Sequence, residues 1–174
     1  TLGANVVVDE KLLEEVAALV EWPVVLSGNF DPSFLAVPEE ALISAMKEHQ
    51  RYFHVTDANN KLLPKFVTVS NIESKDPNAV VKGNERVIAP RLSDAAFFFS
   101  QDKKSDPESM LPRLDQVIFQ SDLGTYKQKV ERISSLAGLI AGRLGSNVEA
   151  ATRAGMLCKS DLVTDMVNEF PDLQ

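Results

Sequence analysis

Residues 52–69 of the chain are YFHVTDANNKLLPKFVTV, and this stretch decides the fold of the first half. Its two ends, 52–56 and 65–69, are rich in β-branched and aromatic residues, which fit the pleated surface of a sheet. Between them, the segment 57–61 contains the aspartate and asparagines that favour a tight turn. The pattern predicts a β-hairpin, and therefore a sheet in this half of the chain.

Helices and a further strand are predicted around this hairpin. Apolar residues recur at helical spacing within 9–20, and Pro38 with two acids after it is typical of a first helical turn. The short apolar run 24–26 predicts a buried strand that ends in a loop at 27–29. Another helix is expected to begin at Pro90, since a proline farther inside would remove a backbone hydrogen bond.

Residues 105–174 are predicted to be helical throughout. Apolar side chains recur every three or four residues across 126–144, and Gly145 can end that helix in a left-handed conformation. Ser146 and Glu149 have the spacing of a capping box, which predicts that the next helix begins there.

The predicted fold class is α+β. We expect an α/β module with a mixed sheet and helices over residues 1–104, followed by an all-helical segment over 105–174. The polar segment 102–107 separates the two parts. The longest apolar run, 95–99, is much shorter than the ~20 residues of a membrane helix, so no membrane partner is expected.

The charges are unevenly distributed along the chain. The whole chain has 18 basic and 25 acidic residues and a net charge of −7, which argues against non-specific coating of nucleic acid. Between Lys61 and Arg91, however, six basic residues stand against three acidic ones, a local charge of +3. This contrast indicates a phosphate-binding patch, and the alternative is a solvated loop followed by the start of a helix.

Four basic residues are the candidate phosphate-binding residues: Lys75, Lys82, Arg86 and Arg91. We expect Lys82 to lie in a mobile loop, Arg86 near the start of the helix and Arg91 just inside it, so that their side chains converge on one run of phosphates. The competing interpretation is structural, because Arg91 can pair with Asp94 three residues further on.

The residues that usually form metal and nucleotide sites are scarce. The single cysteine, Cys158, excludes an intrachain disulfide and every zinc site with two or more thiolates. The two histidines, His49 and His54, are too few for an all-protein transition-metal site, and the isolated Gly83 does not make a phosphate loop. We therefore expect no catalytic residue, no metal and no cofactor in this chain.

Several short motifs together resemble the beta subunit of bacterial tetrameric glycyl-tRNA synthetase. The resemblance is specific as a set, and it runs in order over nearly the whole chain. It is carried by KGNERVI at 82–88, RLSDAAFFF at 91–99, HQRYF at 49–53, LPRL at 111–114, FQ at 119–120, LGT at 123–125, ATRAG at 151–155 and DLVTDMV at 161–167.

The resemblance implies a role in attaching glycine to tRNA(Gly) in the cytoplasm. In that family ATP and magnesium serve the whole enzyme, the separate alpha subunit forms the adenylate, and the beta subunit supplies tRNA contacts and assembly surfaces. The chain lacks an initiating methionine and ends without a helix stop signal, and the family's proteins are several times longer. We therefore expect an interior fragment that is not catalytic by itself.

The resemblance also implies a domain type for each part. Residues 1–104 are similar to the B3/B4 modules of other synthetases, and 105–174 resemble the start of an HD-type domain. The metal-binding His-Asp pair of HD phosphohydrolases is replaced by Ser160-Asp161, and no histidine follows His54. Either residue of that pair is expected to cap the final helix, over 162–170. Two alternative functions remain: a metal-dependent HD phosphohydrolase and a purely structural interaction module.

Overall fold

The computed structural model describes residues 4–174, which divide into two compact units. The first unit reaches Phe99 and the second covers Ser100–Asp172, so the division lies a few residues before the predicted boundary at 104. Strands and helices both occur, which confirms an α+β fold.

The first unit contains a four-stranded sheet in the order β1-β3-β4-β2. The strands are β1 Asn5–Val6, β2 Val24–Asn29, β3 Phe53–Thr56 and β4 Leu62–Ser70. The predicted hairpin is confirmed, since Phe53 pairs with Val67 and Thr56 with Leu62. Its turn is stabilised by the Asp57 carboxylate, which accepts the amides of Asn59 at 2.8 Å and Lys61 at 2.9 Å.

The prediction of a mixed sheet is wrong, because every strand pair in this sheet is antiparallel. Parallel neighbours require a long crossover connection, whereas β3 and β4 are joined by a tight turn and the other two strands add antiparallel at the edges. The strand predicted at 24–26 exists but is an edge strand that continues to Asn29, and Val25 is 68% exposed. A short apolar run does not distinguish an edge strand from a buried one.

Two helices of the first unit begin where the sequence predicts. Helix α1, Glu10–Leu19, starts after Asp9, whose carboxylate accepts the Leu12 amide at 2.9 Å. Helix α2, Glu39–Gln50, starts after Pro38. One face of the sheet is covered by α1, and the apolar cluster there consists of Leu12, Val16, Phe53, Val55 and Val67.

Helix α3, Pro77–Asp102, is longer than predicted and contains Pro90 in its interior. The expectation that Pro90 begins this helix is wrong: the start is marked by Asp76, whose carboxylate accepts the Ala79 amide at 3.0 Å, and by Pro77 in the first turn. An interior proline costs about 3 kcal/mol. Burial of three side chains around it offsets this cost: Ile88, Leu92 and Ala95 are completely buried.

The second unit contains four short or medium helices and a two-stranded ribbon. The helices are α4 Pro107–Met110, α5 Tyr126–Arg143, α6 Val148–Leu157 and α7 Asp165–Glu169, and the strands are β5 Ile118–Gln120 and β6 Gly124–Thr125. The ribbon corrects the prediction of an all-helical segment, because strands of two or three residues are too short to show a periodic pattern. The core cluster is Met110, Leu114, Val130 and Val163.

Helix α5 ends and helix α6 begins close to Gly145. This glycine has a φ of 66° and ends α5, as predicted, while the Ser146 amide donates to the Ala141 carbonyl at 2.8 Å. The predicted capping box is wrong: Asn147 caps α6, and its side chain accepts the Ala150 amide at 3.0 Å. Ser146 belongs to the terminal motif of α5, so the first residue that can cap α6 comes one position later.

The final predicted helix is divided in two. Residues Ser160–Val163 form a 3₁₀ turn and α7 follows, with Thr164 as its cap. The expectation that Ser160 or Asp161 caps this helix is therefore wrong. The Asp102 carboxylate adds a distant contact, since it accepts the amides of Asp165 at 2.9 Å and Met166 at 2.8 Å. Sequence spacing does not predict a partner more than sixty residues away.

In the described part of the chain, no helix has the length and apolar character needed to cross a membrane.

Candidate nucleic-acid interface

Helix α3 exposes one continuous line of side chains, which we call the α3 stripe. Its five residues recur at intervals of three and four, so they lie on one face of the helix. All of them are exposed, and they are Lys82, Arg86, Pro90, Ser93 and Phe97. The ring of Phe97 is 55% exposed, and Phe98 holds it edge-on with the two ring centroids 5.5 Å apart.

Positive charge dominates the first part of the stripe. Lys82 and Arg86 lie one helical turn apart, about 6 Å along the axis. Among the described residues, neither side chain has a carboxylate within ion-pairing distance. The neighbouring Glu85 points elsewhere, because its Oε1 accepts the Asn29 amide at 2.8 Å. The two cations are therefore available to bind an anion.

Contacts with the sheet hold this part of α3 in place. The Tyr52 hydroxyl donates to Asn84 Oδ1 at 2.5 Å, and the Glu85 contact adds a second connection to the sheet through Asn29. Lys65 Nζ donates to Asn29 Oδ1 at 2.9 Å, which places a further cation beside these residues. Asn84 and Glu85 thus anchor the helix, and Lys82 and Arg86 remain on its outer side.

The structure places two of the four sequence-predicted residues, Lys82 and Arg86, differently from the expectation. Lys82 and Arg86 lie inside the helix rather than in a loop and at its start, because α3 begins thirteen residues before Pro90. Arg91 lies about 140° around the helix from Arg86, since each residue advances about 100°. Its guanidinium is 3.9 Å from the Asp94 carboxylate, the pair anticipated as the structural alternative. Lys75 is exposed in the segment before α3.

The sequence analysis missed two features of this interface. The first is the full length of α3, which the Asp76-Pro77 pair signals as a cap followed by a proline at the first helical position. The second is the position of Phe97, which shares a face with the two cations only once the helix is continuous through Pro90. Counting by helical spacing from Lys82 would have found it.

No group of three or more histidine, cysteine, aspartate or glutamate side chains in residues 4–174 is arranged to hold a metal ion. His54 lies half-buried in β3, and burial lowers the pKa of its imidazole against the opposing effect of Glu39 and Asp9.

The chain is similar to known proteins over its whole length. The glycyl-tRNA synthetase beta subunit family matches residues 1–174. A glycine–tRNA ligase beta subunit from Aeromonas hydrophila is 61% identical over 95% of the chain, and one from Serratia proteamaculans is 56% identical over 100% of it. The chain spans 24% and 25% of the lengths of these relatives. The chain belongs to the glycyl-tRNA synthetase beta subunit family.

Proposed function

We propose that this chain contributes tRNA binding and subunit architecture to the ATP-dependent attachment of glycine to tRNA(Gly). Its partners are the alpha subunit and the tRNA, and its compartment is the cytoplasm. ATP and magnesium are used by the whole enzyme and are not held by this chain. The names of the relatives support the reaction, since each is a glycine–tRNA ligase beta subunit.

One observation carries the tRNA-binding part of the proposal. The α3 stripe presents Lys82 and Arg86 without an acidic partner among the described residues, in a chain whose net charge is −7. Phosphate contacts by such cations release counterions, which drives RNA binding and makes it dependent on salt. Phe97 lies further along the same stripe and offers an exposed ring on which an unpaired base stacks.

Lys75 and Arg91 remain part of the proposed RNA-binding set, with smaller contributions. Lys75 is exposed close to the start of α3. Arg91 lies on another side of the helix and forms an ion pair with Asp94, so a phosphate contact there would compete with this pair. An exposed pair of this kind contributes only about 0.2–0.5 kcal/mol, and a phosphate can therefore displace it.

We also propose that the first part of the chain corresponds to a B3/B4-like module and the second to the start of a degenerate HD-like domain. The Ser160-Asp161 pair supports our proposal that the chain does not act as an HD phosphohydrolase. The Ser160 hydroxyl is buried and donates to the Leu157 carbonyl at 2.9 Å, so it has a structural role. A serine also cannot replace the imidazole ligand of a divalent metal.

The test of tRNA binding uses the assembled alpha and beta subunits. We expect the double variant Lys82→Ala/Arg86→Ala to weaken binding of tRNA(Gly) at moderate salt. The slope of log affinity against log salt should flatten by about 0.7–0.9 for each phosphate that the protein no longer neutralises. Phe97→Leu should weaken binding with little change in that slope, because stacking involves no counterion release.

The matched control is Lys11→Ala/Lys104→Ala, which removes two exposed lysines that lie outside the basic segment 61–91. It should leave both the affinity and the salt slope close to those of the unmodified enzyme. If Lys82→Ala/Arg86→Ala behaves like this control, the α3 stripe does not contact tRNA. The patch would then be part of a structural module, the alternative function.

A further inference from the structure

Pro90 interrupts the backbone hydrogen bonding of helix α3 on its exposed side. A proline has no backbone N–H, so the carbonyl of Arg86, four residues earlier, lacks the donor that an α-helix would supply there. The completely buried residues of this part of the helix, Ile88, Leu92 and Ala95, lie on the opposite side. The Arg86 carbonyl is therefore a hydrogen-bond acceptor on the outer side of the helix, within the α3 stripe.

The groups on either side of this carbonyl match the parts of an RNA strand. Towards the start of the helix lie the ammonium of Lys82 and the guanidinium of Arg86, which are complementary to phosphates. Towards its end lie the exposed Ser93 and the ring of Phe97, on which a base stacks. The Arg86 carbonyl thus lies between a phosphate-binding pair and a stacking surface, which is where a ribose would lie.

The 2′-hydroxyl of a ribose is the donor that fits this acceptor. In RNA this hydroxyl is on the carbon next to the one that carries the 3′ phosphate, so a phosphate bound by the Arg86 side chain brings a hydroxyl close to the Arg86 carbonyl. Side chains of a helix are tilted towards its N-terminus and carbonyls point towards its C-terminus, so the two contacts do not compete. The cations bind phosphates of DNA and RNA alike, whereas the 2′-hydroxyl is present only in RNA.

We infer that the Arg86 carbonyl, which Pro90 leaves without its helical donor, accepts a hydrogen bond from a ribose 2′-hydroxyl of the tRNA. This inference rests on the proposed tRNA contact of the α3 stripe, and it adds the chemistry by which that contact distinguishes ribose from deoxyribose. Pro90 is then a positioning residue, because it acts through the carbonyl of another residue. A hydrogen bond of this kind changes the affinity by about 2- to 10-fold.

The test compares the unmodified enzyme with the variant Pro90→Ala, each as assembled alpha and beta subunits. Alanine donates its N–H to the Arg86 carbonyl and so removes the acceptor without removing a charge. Each enzyme binds a pool of tRNA(Gly) in which single riboses are randomly replaced by 2′-deoxyribose, and the bound and unbound fractions are mapped nucleotide by nucleotide. We expect a nucleotide at which the replacement weakens binding to the unmodified enzyme by about 2- to 10-fold and has no effect on binding to Pro90→Ala.

The matched control is Ser93→Ala, which changes the next exposed residue of the α3 stripe and keeps the proline. It should keep the effect of the replacement at that nucleotide. Urea unfolding checks that Pro90→Ala is folded, and we expect its midpoint at a higher urea concentration, because alanine restores the helical hydrogen bond. Identical maps for Pro90→Ala and the unmodified enzyme would overturn the inference. So would the loss of every effect in Pro90→Ala, since that would indicate displacement of the whole helix.

Salt dependence separates this inference from the proposed function. Pro90→Ala should keep the slope of log affinity against log salt, because it removes no cation. If Lys82→Ala/Arg86→Ala weakens tRNA binding while the maps for Pro90→Ala and the unmodified enzyme are identical, only the 2′-hydroxyl contact is refuted. If Lys82→Ala/Arg86→Ala has no effect on tRNA binding, the proposed function of the α3 stripe fails, and this inference fails with it.

Discussion

Tyr52 connects the sheet to helix α3 through two different interactions. Its ring stacks on Phe66 with the centroids 4.5 Å apart, and its hydroxyl donates to Asn84. Burial raises the pKa of Tyr52 to about 12, so the phenol keeps its proton and donates throughout the physiological range. Because Asn84 lies between Lys82 and Arg86 in the helix, this contact helps to fix the positions of the two basic residues.

His54 makes the stability of the first unit dependent on pH. Burial lowers the pKa of its imidazole below 6.5 in the folded chain. As the pH falls below 6.5, the unfolded chain therefore takes up a proton that the folded chain does not yet bind, and the free energy of unfolding decreases. We expect this loss of stability as the pH falls below about 6.5 to be smaller in His54→Gln.

The measurement is urea unfolding of the 174-residue chain at a series of pH values. His54→Gln has its own stability at neutral pH, so the comparison concerns the change with pH and not the absolute value. An identical pH dependence in the two proteins would contradict the role given to His54.

At the scale of helices, two glycines in different helices are expected to respond in opposite ways to the same substitution. Apart from its chain neighbours and the backbone of its own helix, Gly83 in α3 has no atom within 4 Å of the position that a Cβ would take. In α6, a Cβ on Gly155 would lie 2.7 Å from the Ser134 Cα of α5. The hydroxyl of Ser134 donates to the Thr152 carbonyl at 2.7 Å, so the two helices cannot separate easily.

We expect Gly83→Ala to raise the free energy of unfolding by about 0.5–1 kcal/mol, because alanine is the better helix former. Gly155→Ala is expected to lower it by about 1–3 kcal/mol, because the clash is with backbone atoms. Urea unfolding followed by circular dichroism measures both changes. Each variant is the control for the other, and a change of the same sign in both would refute the packing described for one of them.

At the scale of the whole chain, the resemblance implies that adenylate formation belongs to the separate alpha subunit. We expect the purified 174-residue chain to support no glycine-dependent exchange of pyrophosphate into ATP. Exchange above that of a mock preparation would contradict this expectation, and the assembled enzyme is the positive control.

The sequence by itself determined the features that depend on neighbouring residues. The hairpin at 52–69, the helix within 9–20, the α2 start and the Gly145 helix end all follow from short-range chemistry, because a turn or a helix end involves residues within about five positions. The motifs spread along the chain likewise identified the family, since they need only be present in order.

Tertiary structure decided the features that depend on distant residues. Pro90 lies inside α3 because burial of Leu92 and Ala95 outweighs the hydrogen bond that proline removes. The Asp102 carboxylate accepts two amides of the first turn of α7 across a long stretch of chain. Strand β2 lies at an edge because of the strand order in the sheet. The candidate interface follows the same rule: the charges of Lys82 and Arg86 are visible in the sequence, but only a continuous α3 places both on one face. Local helix propensities differ by less than about 1 kcal/mol for most residues and by about 3 kcal/mol for proline, and burial of several side chains against the rest of the fold outweighs them.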